Sequence, residues 1–172
     1  MRTRKPKLLD LEGLLTFAGN SLSVRAQSLN EVRTKLRLRA LNAEDVDTAI
    51  SRLKEAGFLN DQRFAESFAG WRRDNQGLGK ARVARDLMTR RVAPELALKT
   101  VEAAYAGADE TTMVEEFLAR KYRGKDLGAL LQEEKNLASA YRRLRTAGFS
   151  SGSSIGVLKR YAAAAEMIEE GD

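Results

Sequence analysis

Apolar residues recur at three- and four-residue spacing in one segment after another, and no stretch alternates with the two-residue period of a strand. Phe64, Phe68 and Trp71 fall at i, i+4 and i+7, one side of a helix, and read as a core face. The residues between are mostly Ala, Leu, Arg, Glu and Lys, strong helix formers. Start and stop signals punctuate the pattern. Ser28-Leu-Asn-Glu31 is a capping box, in which hydroxyl and carboxylate satisfy each other's backbone N–H groups. Asn42 is placed to cap a helix from Ala43, and Gly57 to stop it. Asn60 or Asp61 opens the next, and Gly77-Leu-Gly79 closes that one. Pro94 suits a first turn, Gly107 and Asp109 a stop and a cap, and Gly148 and Gly152 flank the last break. The signals predict about nine helices of roughly 10 to 15 residues with short connections.

The helices repeat. Leu36, Leu87 and Leu144 align; five residues later come Leu41, Val92 and Phe149, and fourteen later Ile50, Val101 and Leu158. Four residues earlier lie Val32, Val83 and Ala140. Phe17 and Phe68 precede the first two leucines by nineteen residues. An insertion in the third unit moves Phe117 or Leu118 into that place. The expected fold is all-α, tandem three-helix units resembling helix-turn-helix modules, over residues 8–58, 59–107 and 108–168. A basic tail (1–7) precedes them and an acidic one (169–172) follows. Small units that contact mainly their neighbours predict an elongated, curved molecule.

Composition removes several function classes. The chain has 172 residues, 43% hydrophobic, with no histidine and no cysteine. Zinc fingers, disulfide scaffolds, cysteine nucleophiles and Ser-His-Asp triads are therefore excluded. No apolar run approaches the roughly 20 residues that span a bilayer. The basic start is followed by Asp10 and Glu12, not by a signal core, so the expected setting is the cytoplasm. Gly77-Leu-Gly-Lys80 lacks the Walker spacing, since Ala81 follows the lysine and no strand precedes it. Glu115-Glu116 and Glu133-Glu134 are neighbours on helices, about 100° apart, and read as solvated faces.

Charge is distributed unevenly. There are 30 Lys+Arg against 24 Asp+Glu, a net charge of +6. Twelve of those cations lie on the three middle helices: Arg33, Lys35, Arg37 and Arg39; Lys80, Arg82, Arg85, Arg90 and Arg91; Arg142, Arg143 and Arg145. Several coincide by repeat position, Arg85 with Arg142, Lys35 with Arg143 and Arg37 with Arg145. The third helices are acidic, with Glu44, Asp45 and Asp47, then Glu95 and Glu102, then Glu166, Glu169 and Glu170. The middle helices are thus expected to form a broken basic stripe for phosphate or an acidic partner.

These segments resemble the RecX family of regulatory proteins. Ser28-Leu-Asn-Glu-Val-Arg-Thr-Lys-Leu36 is similar to its S-x-x-E-L-x-x-K-L element, with Val32 in place of the leucine. Ile50 to Phe68 resembles its L-x-x-x-G-x-[LI]-[ND]-D-x-x-[FY]-A-x-x-[FY] segment. Gly77 to Leu87, with Arg90 and Arg91, resembles the G-x-x-x-I-x-x-x-L-x-x-[KR] helix that follows. The likeness covers residues 8 to 168, is most specific from Ser28 to Leu87, and is interrupted by an insertion at Gly124 to Lys135. It implies tandem three-helix motifs, no catalytic residues and no cofactor. It also implies binding to RecA and its filament on single-stranded DNA. Inhibition of ATP hydrolysis, strand exchange and co-protease activity would follow. Single-stranded DNA is an expected further contact and duplex DNA a weaker one, with no membrane partner and a monomeric chain. Two other readings stand beside it, a helix-turn-helix protein acting directly on duplex DNA and a purely structural helical repeat.

Overall fold

The computed structural model describes residues 7–162 and Ala165. Ten helices occur among them: α1 (Leu11–Val24), α2 (Leu29–Arg37), α3 (Ala43–Glu55), α4 (Asp61–Gln76), α5 (Lys80–Thr89), α6 (Pro94–Ala104), α7 (Glu110–Lys121), α8 (Leu127–Leu130), α9 (Glu134–Ala147) and α10 (Ser151–Leu158). The fold is all-α. Its one trace of β structure among the described residues is an isolated parallel bridge between Leu9 and Ala40. The helix beyond the expected nine is α8, which lies in the Gly124 to Lys135 insertion. Two compact units form, neither contiguous in sequence. The first takes the chain up to Phe68 together with Leu87–Thr100; the second takes Ala69–Asp86 and the chain from Val101 onward.

In the first unit, α1 and α2 pack on α3. Leu14 and Ala18, Val32 and Leu36, and Val46, Ala49, Ile50 and Leu53 are its core, each at helical spacing on its own element. The capping box forms as the sequence requires. The Ser28 Oγ accepts from the Glu31 N–H at 3.2 Å and Glu31 Oε2 accepts from the Ser28 N–H at 3.0 Å. Asn60, not Asp61, caps α4, accepting from the Arg63 N–H at 2.9 Å. Asp61 instead accepts from the Leu29 N–H at 2.7 Å, the first turn of α2. Asn42 occupies the cap position of α3, but its side-chain amide donates to the Asp45 carboxylate at 3.2 Å and caps no backbone N–H.

In the second unit, α7 and α9 pack on α10. Val114 and Leu118, Leu137, Ala140 and Leu144, and Ile155, Val157 and Leu158 meet there, with Phe149 edge-on to Phe117 at 5.5 Å. Glu110 on α7 accepts from the Ser150 N–H at 2.9 Å, the Ser150 hydroxyl at 2.5 Å and the Ser153 hydroxyl at 2.7 Å, tying α7 to the start of α10. Ser150 caps that helix, and Gly152 lies inside it and so does not flank the break.

The repeat is visible in burial. Leu36, Leu87 and Leu144 are all fully buried. Val92 and Phe149 are buried, whereas Leu41 is 60% exposed, because its segment turns outward to pair with Leu9. Phe117, partly buried like Phe17, holds the corresponding place on α7, with Leu118 taking that of Ala18. Trp71 departs from the expected core face and is 53% exposed. At 100° per residue the buried line of α4 is centred near Phe68 and passes through Ala65 and Ala69. Trp71 falls on its flank beside Phe64, whose ring Arg90 covers while Trp71 stays open to solvent.

The end of each middle helix is satisfied in a recurring way. The last carbonyls of a helix have no partner within it. Three residues beyond the leucines that share a repeat position, the Arg39 carbonyl accepts from the Leu9 N–H at 2.7 Å. The Arg90 carbonyl accepts from the Ser28 hydroxyl at 2.5 Å, and that of Ala147 from the Gly79 N–H at 2.8 Å. Ser28 and Gly79 hold the same repeat position, so one junction is built twice, once in each unit. The second junction leaves no room for a side chain. A Cβ on Gly79 would stand 2.4 Å from both the carbon and oxygen of Gly148.

Candidate functional site

The first unit holds six of the twelve expected cations. Arg33 pairs with Asp47 of α3 at 3.5 Å, and the Lys35 ammonium donates to the Ser21 hydroxyl at 2.8 Å. Arg39 lies over the Phe17 ring at 5.0 Å, a cation–π contact. Arg37 and Arg91 are exposed, although the Arg91 carbonyl accepts from the Asn30 amide at 3.2 Å. Arg90 is turned inward. Its Nε donates to Glu31 at 2.8 Å, its Nη2 to Glu31 at 3.2 Å and to the Ala26 carbonyl at 3.1 Å. Its guanidinium sits 5.3 Å and 5.7 Å from the Phe64 and Phe68 ring centres. Burial pushes the Glu31 carboxyl up. The Arg90 guanidinium, the Ser28 N–H and Arg25 outweigh that and hold it below the usual carboxylate range. Arg90 is a structural clamp on the capping box of α2.

The second unit holds the other six. Lys80 pairs with Glu102 at 2.7 Å, and Arg82 with Asp86 at 2.9 Å, where Arg72 also reaches the carboxylate at 3.0 Å. Arg82 further donates to the Thr146 carbonyl at 3.3 Å, and Arg145 to that of Phe149 at 2.6 Å. Arg85, Arg142 and Arg143 are exposed, and Arg143 stands 5.9 Å from the Tyr122 ring centre. Acidic residues of the third helices thus do not merely contrast with the basic middle helices. Asp47 and Glu102 neutralise one cation each. Glu166, Glu169 and Glu170, like residues 1–6 and 169–172, lie outside the described residues.

Each unit carries a shallow groove between the first and middle helices of its motif. In the first unit the groove encloses 420 Å³, lined by Phe17, Asn20 and Ser21 from α1 and by Lys35, Leu38 and Arg39 from the α2 side. In the second it encloses 440 Å³, with Phe117 and Lys121 from α7, Arg142, Arg143 and Thr146 from α9, and Arg82. No acidic side chain lines either one. Sequence reasoning located Lys35, Arg39, Arg82, Arg142 and Arg143 but missed Lys121. Lys121 lies on a first helix, and only the packing of α7 and α9 on α10 brings it to the arginines. No helix among the described residues is long and apolar enough to cross a membrane.

Residues 60–100 match a family model described as RecX, second three-helix domain. The regulatory protein RecX of Pseudomonas tolaasii is 33% identical over 132 residues, covering 75% of this chain and 79% of that one. That of Trichlorobacter lovleyi is 30% identical over 130 residues, covering 76% and 83%. That of Amycolatopsis mediterranei is 29% identical over 155 residues, covering 87% and 85%. The crystal structure of RecX from Lactobacillus salivarius shares the fold, with a TM-score of 0.65 at 20% identity over 88% of this chain and 96% of that one. The helical architecture agrees with these likenesses, and the chain belongs to the family of RecX regulatory proteins.

Proposed function

We propose that the chain is a non-enzymatic, cytoplasmic regulator that binds RecA and its filament on single-stranded DNA. Its usual effect would be to inhibit ATP hydrolysis, strand exchange and co-protease activity. Membership of the RecX family supports the regulatory role. The observation that carries the binding mode is the sorting of the middle-helix cations. Arg33, Lys80, Arg82 and Arg90 pair with carboxylates of the same unit, exposed ones for Arg33 and Lys80 and largely buried ones for Arg82 and Arg90. Arg37, Arg91, Arg142 and Arg143 are exposed in the same helices and turns. A planar guanidinium on a helix surface suits carboxylate and phosphate alike, and a filament presents both. Contacts from two units of one chain to a repeating partner would add as avidity, without any one contact being strong. Bound across RecA subunits, the protein would bias them toward a state that does not turn over, provided that it binds that state more tightly.

The test is RecA ATP hydrolysis on single-stranded DNA, measured with increasing amounts of the chain. Inhibition by the wild type, and its loss on joint charge reversal of Arg37, Arg91 and Arg142, is the expected result. Undiminished inhibition by that variant would remove the exposed cations as the docking surface. No effect of the wild type on RecA, together with a strong preference for one duplex sequence, would replace this function with that of a direct DNA-binding protein.

A further inference from the structure

The two grooves are one site built twice. Phe17 and Phe117 occupy the same position on α1 and α7, as do Ser21 and Lys121. Across from them, Lys35 corresponds to Arg143 and Leu38 to Thr146, the positions four before and one before the junction carbonyls on the middle helices. Each groove therefore has a phenylalanine in its floor, a cation from the middle helix on its rim, and no carboxylate of its own. Leu38, 71% exposed, extends the apolar lining in the first unit; Lys121, Arg142 and Arg82 deepen the positive rim in the second.

We infer that each groove receives an acidic, partly apolar polypeptide segment of the protein partner, one segment per unit. A small apolar side chain would pack against the part of the phenylalanine that lines the groove, needing no open ring face, while a neighbouring carboxylate meets Lys35 or Arg143. The chemistry follows from charge complementarity: a rim with cations and no acids, above an apolar floor, discriminates against basic and fully polar segments. A nucleic acid strand fits less well. Stacking a base needs an open aromatic face. The Arg39 guanidinium already lies over Phe17 at 5.0 Å, and Phe117 is engaged with Phe149 at 5.5 Å. The duplication has a consequence of its own. A chain with two equivalent grooves takes two copies of the same kind of segment, as a partner made of identical subunits would supply. This inference rests on the RecA reading above and names the part of RecA that is held.

The experiment uses the full chain and RecA filaments on single-stranded DNA. A photo-crosslinking amino acid replaces Asn20 in one variant and Ser139, which lines the second groove, in another. The expected products are crosslinks from both positions to RecA peptides that carry Asp or Glu beside an apolar residue. Crosslinks to the DNA strand would overturn the inference in favour of a nucleic acid groove. Filament binding with no crosslink from either position would overturn it while leaving the RecA function standing. No filament binding would overturn both. In parallel, Lys35→Glu combined with Arg143→Glu should weaken filament binding by about ten-fold or more. The charge-matched pair Lys54→Glu with Lys99→Glu, exposed on α3 and α6, should stay within about two-fold. Equal losses in the two pairs would overturn the grooves as specific sites.

Discussion

Replacing glycine with alanine at three positions should give three different outcomes, because each has a different neighbourhood. Gly79 is the donor of the second unit's junction. Its N–H reaches the Ala147 carbonyl at 2.8 Å, and the Ala81 N–H reaches that of Gly148 at 3.2 Å. An added Cβ would stand 2.4 Å from the Gly148 carbonyl carbon and 2.6 Å from the Phe149 nitrogen, all backbone that cannot rotate away. The two segments must separate, which costs about 1–3 kcal/mol in overpacking. Both hydrogen bonds loosen as they part, at about 1 kcal/mol each. The expected loss for Gly79→Ala is about 3–5 kcal/mol, or roughly 10 °C in melting temperature. Gly57 has no neighbour within 4 Å but sits at φ +75°, where an L side chain costs about 1–2 kcal/mol. A small gain from the stiffer unfolded chain offsets part of that, leaving about 1 kcal/mol for Gly57→Ala. Gly19, inside α1 with open space around it, should yield a gain of about 0.5–1 kcal/mol. Urea unfolding followed by far-ultraviolet circular dichroism measures all three. A Gly79→Ala loss within about 1 kcal/mol of the Gly57→Ala loss would refute the close-approach argument.

The inward cation is expected to behave unlike an outward one: Arg90→Ala should cost about 2–3 kcal/mol by removing both of its hydrogen bonds to the 14%-exposed Glu31 carboxylate, which keeps only Arg25 and the Ser28 N–H. Arg37→Ala should stay within about 0.5 kcal/mol in the same denaturation assay. Acid should expose the same clamp. A carboxyl held below its ordinary value of 4.5 contributes stability above that pH, lost as pH falls through the lowered value. Glu31→Gln should therefore flatten the stability profile below about pH 4.5. Glu110, which the Ser150 and Ser153 donors hold low against the upward push of burial, should give a second such step, removed by Glu110→Gln. At the alkaline end, burial pushes the Tyr105 phenol up to about 12, while its hydroxyl donates to the Leu78 carbonyl at 2.6 Å. An absorbance titration should show a phenolate forming near pH 12, absent in Tyr105→Phe, which should also lose about 1 kcal/mol of stability.

Much was legible in the chain alone because helices are local. A three- to four-residue apolar period, a capping box and a glycine stop specify an element through hydrogen bonds within a few residues. Repetition of that pattern then declares tandem motifs. The sequence by itself therefore determined the all-α class, most helix boundaries, the buried leucines Leu36, Leu87 and Leu144, and the excess of cations on the middle helices. It could not say which cations face outward. Arg90 and Arg91 are adjacent and alike in composition, yet one clamps Glu31 and the other is exposed. A residue's partner comes from a segment some sixty positions away, and helical period carries no record of it. The same limit explains Trp71, Lys121 and the Ser28–Gly79 equivalence. Side-chain burial, groove lining and junction hydrogen bonds depend on which faces meet, and that is settled only when the helices pack.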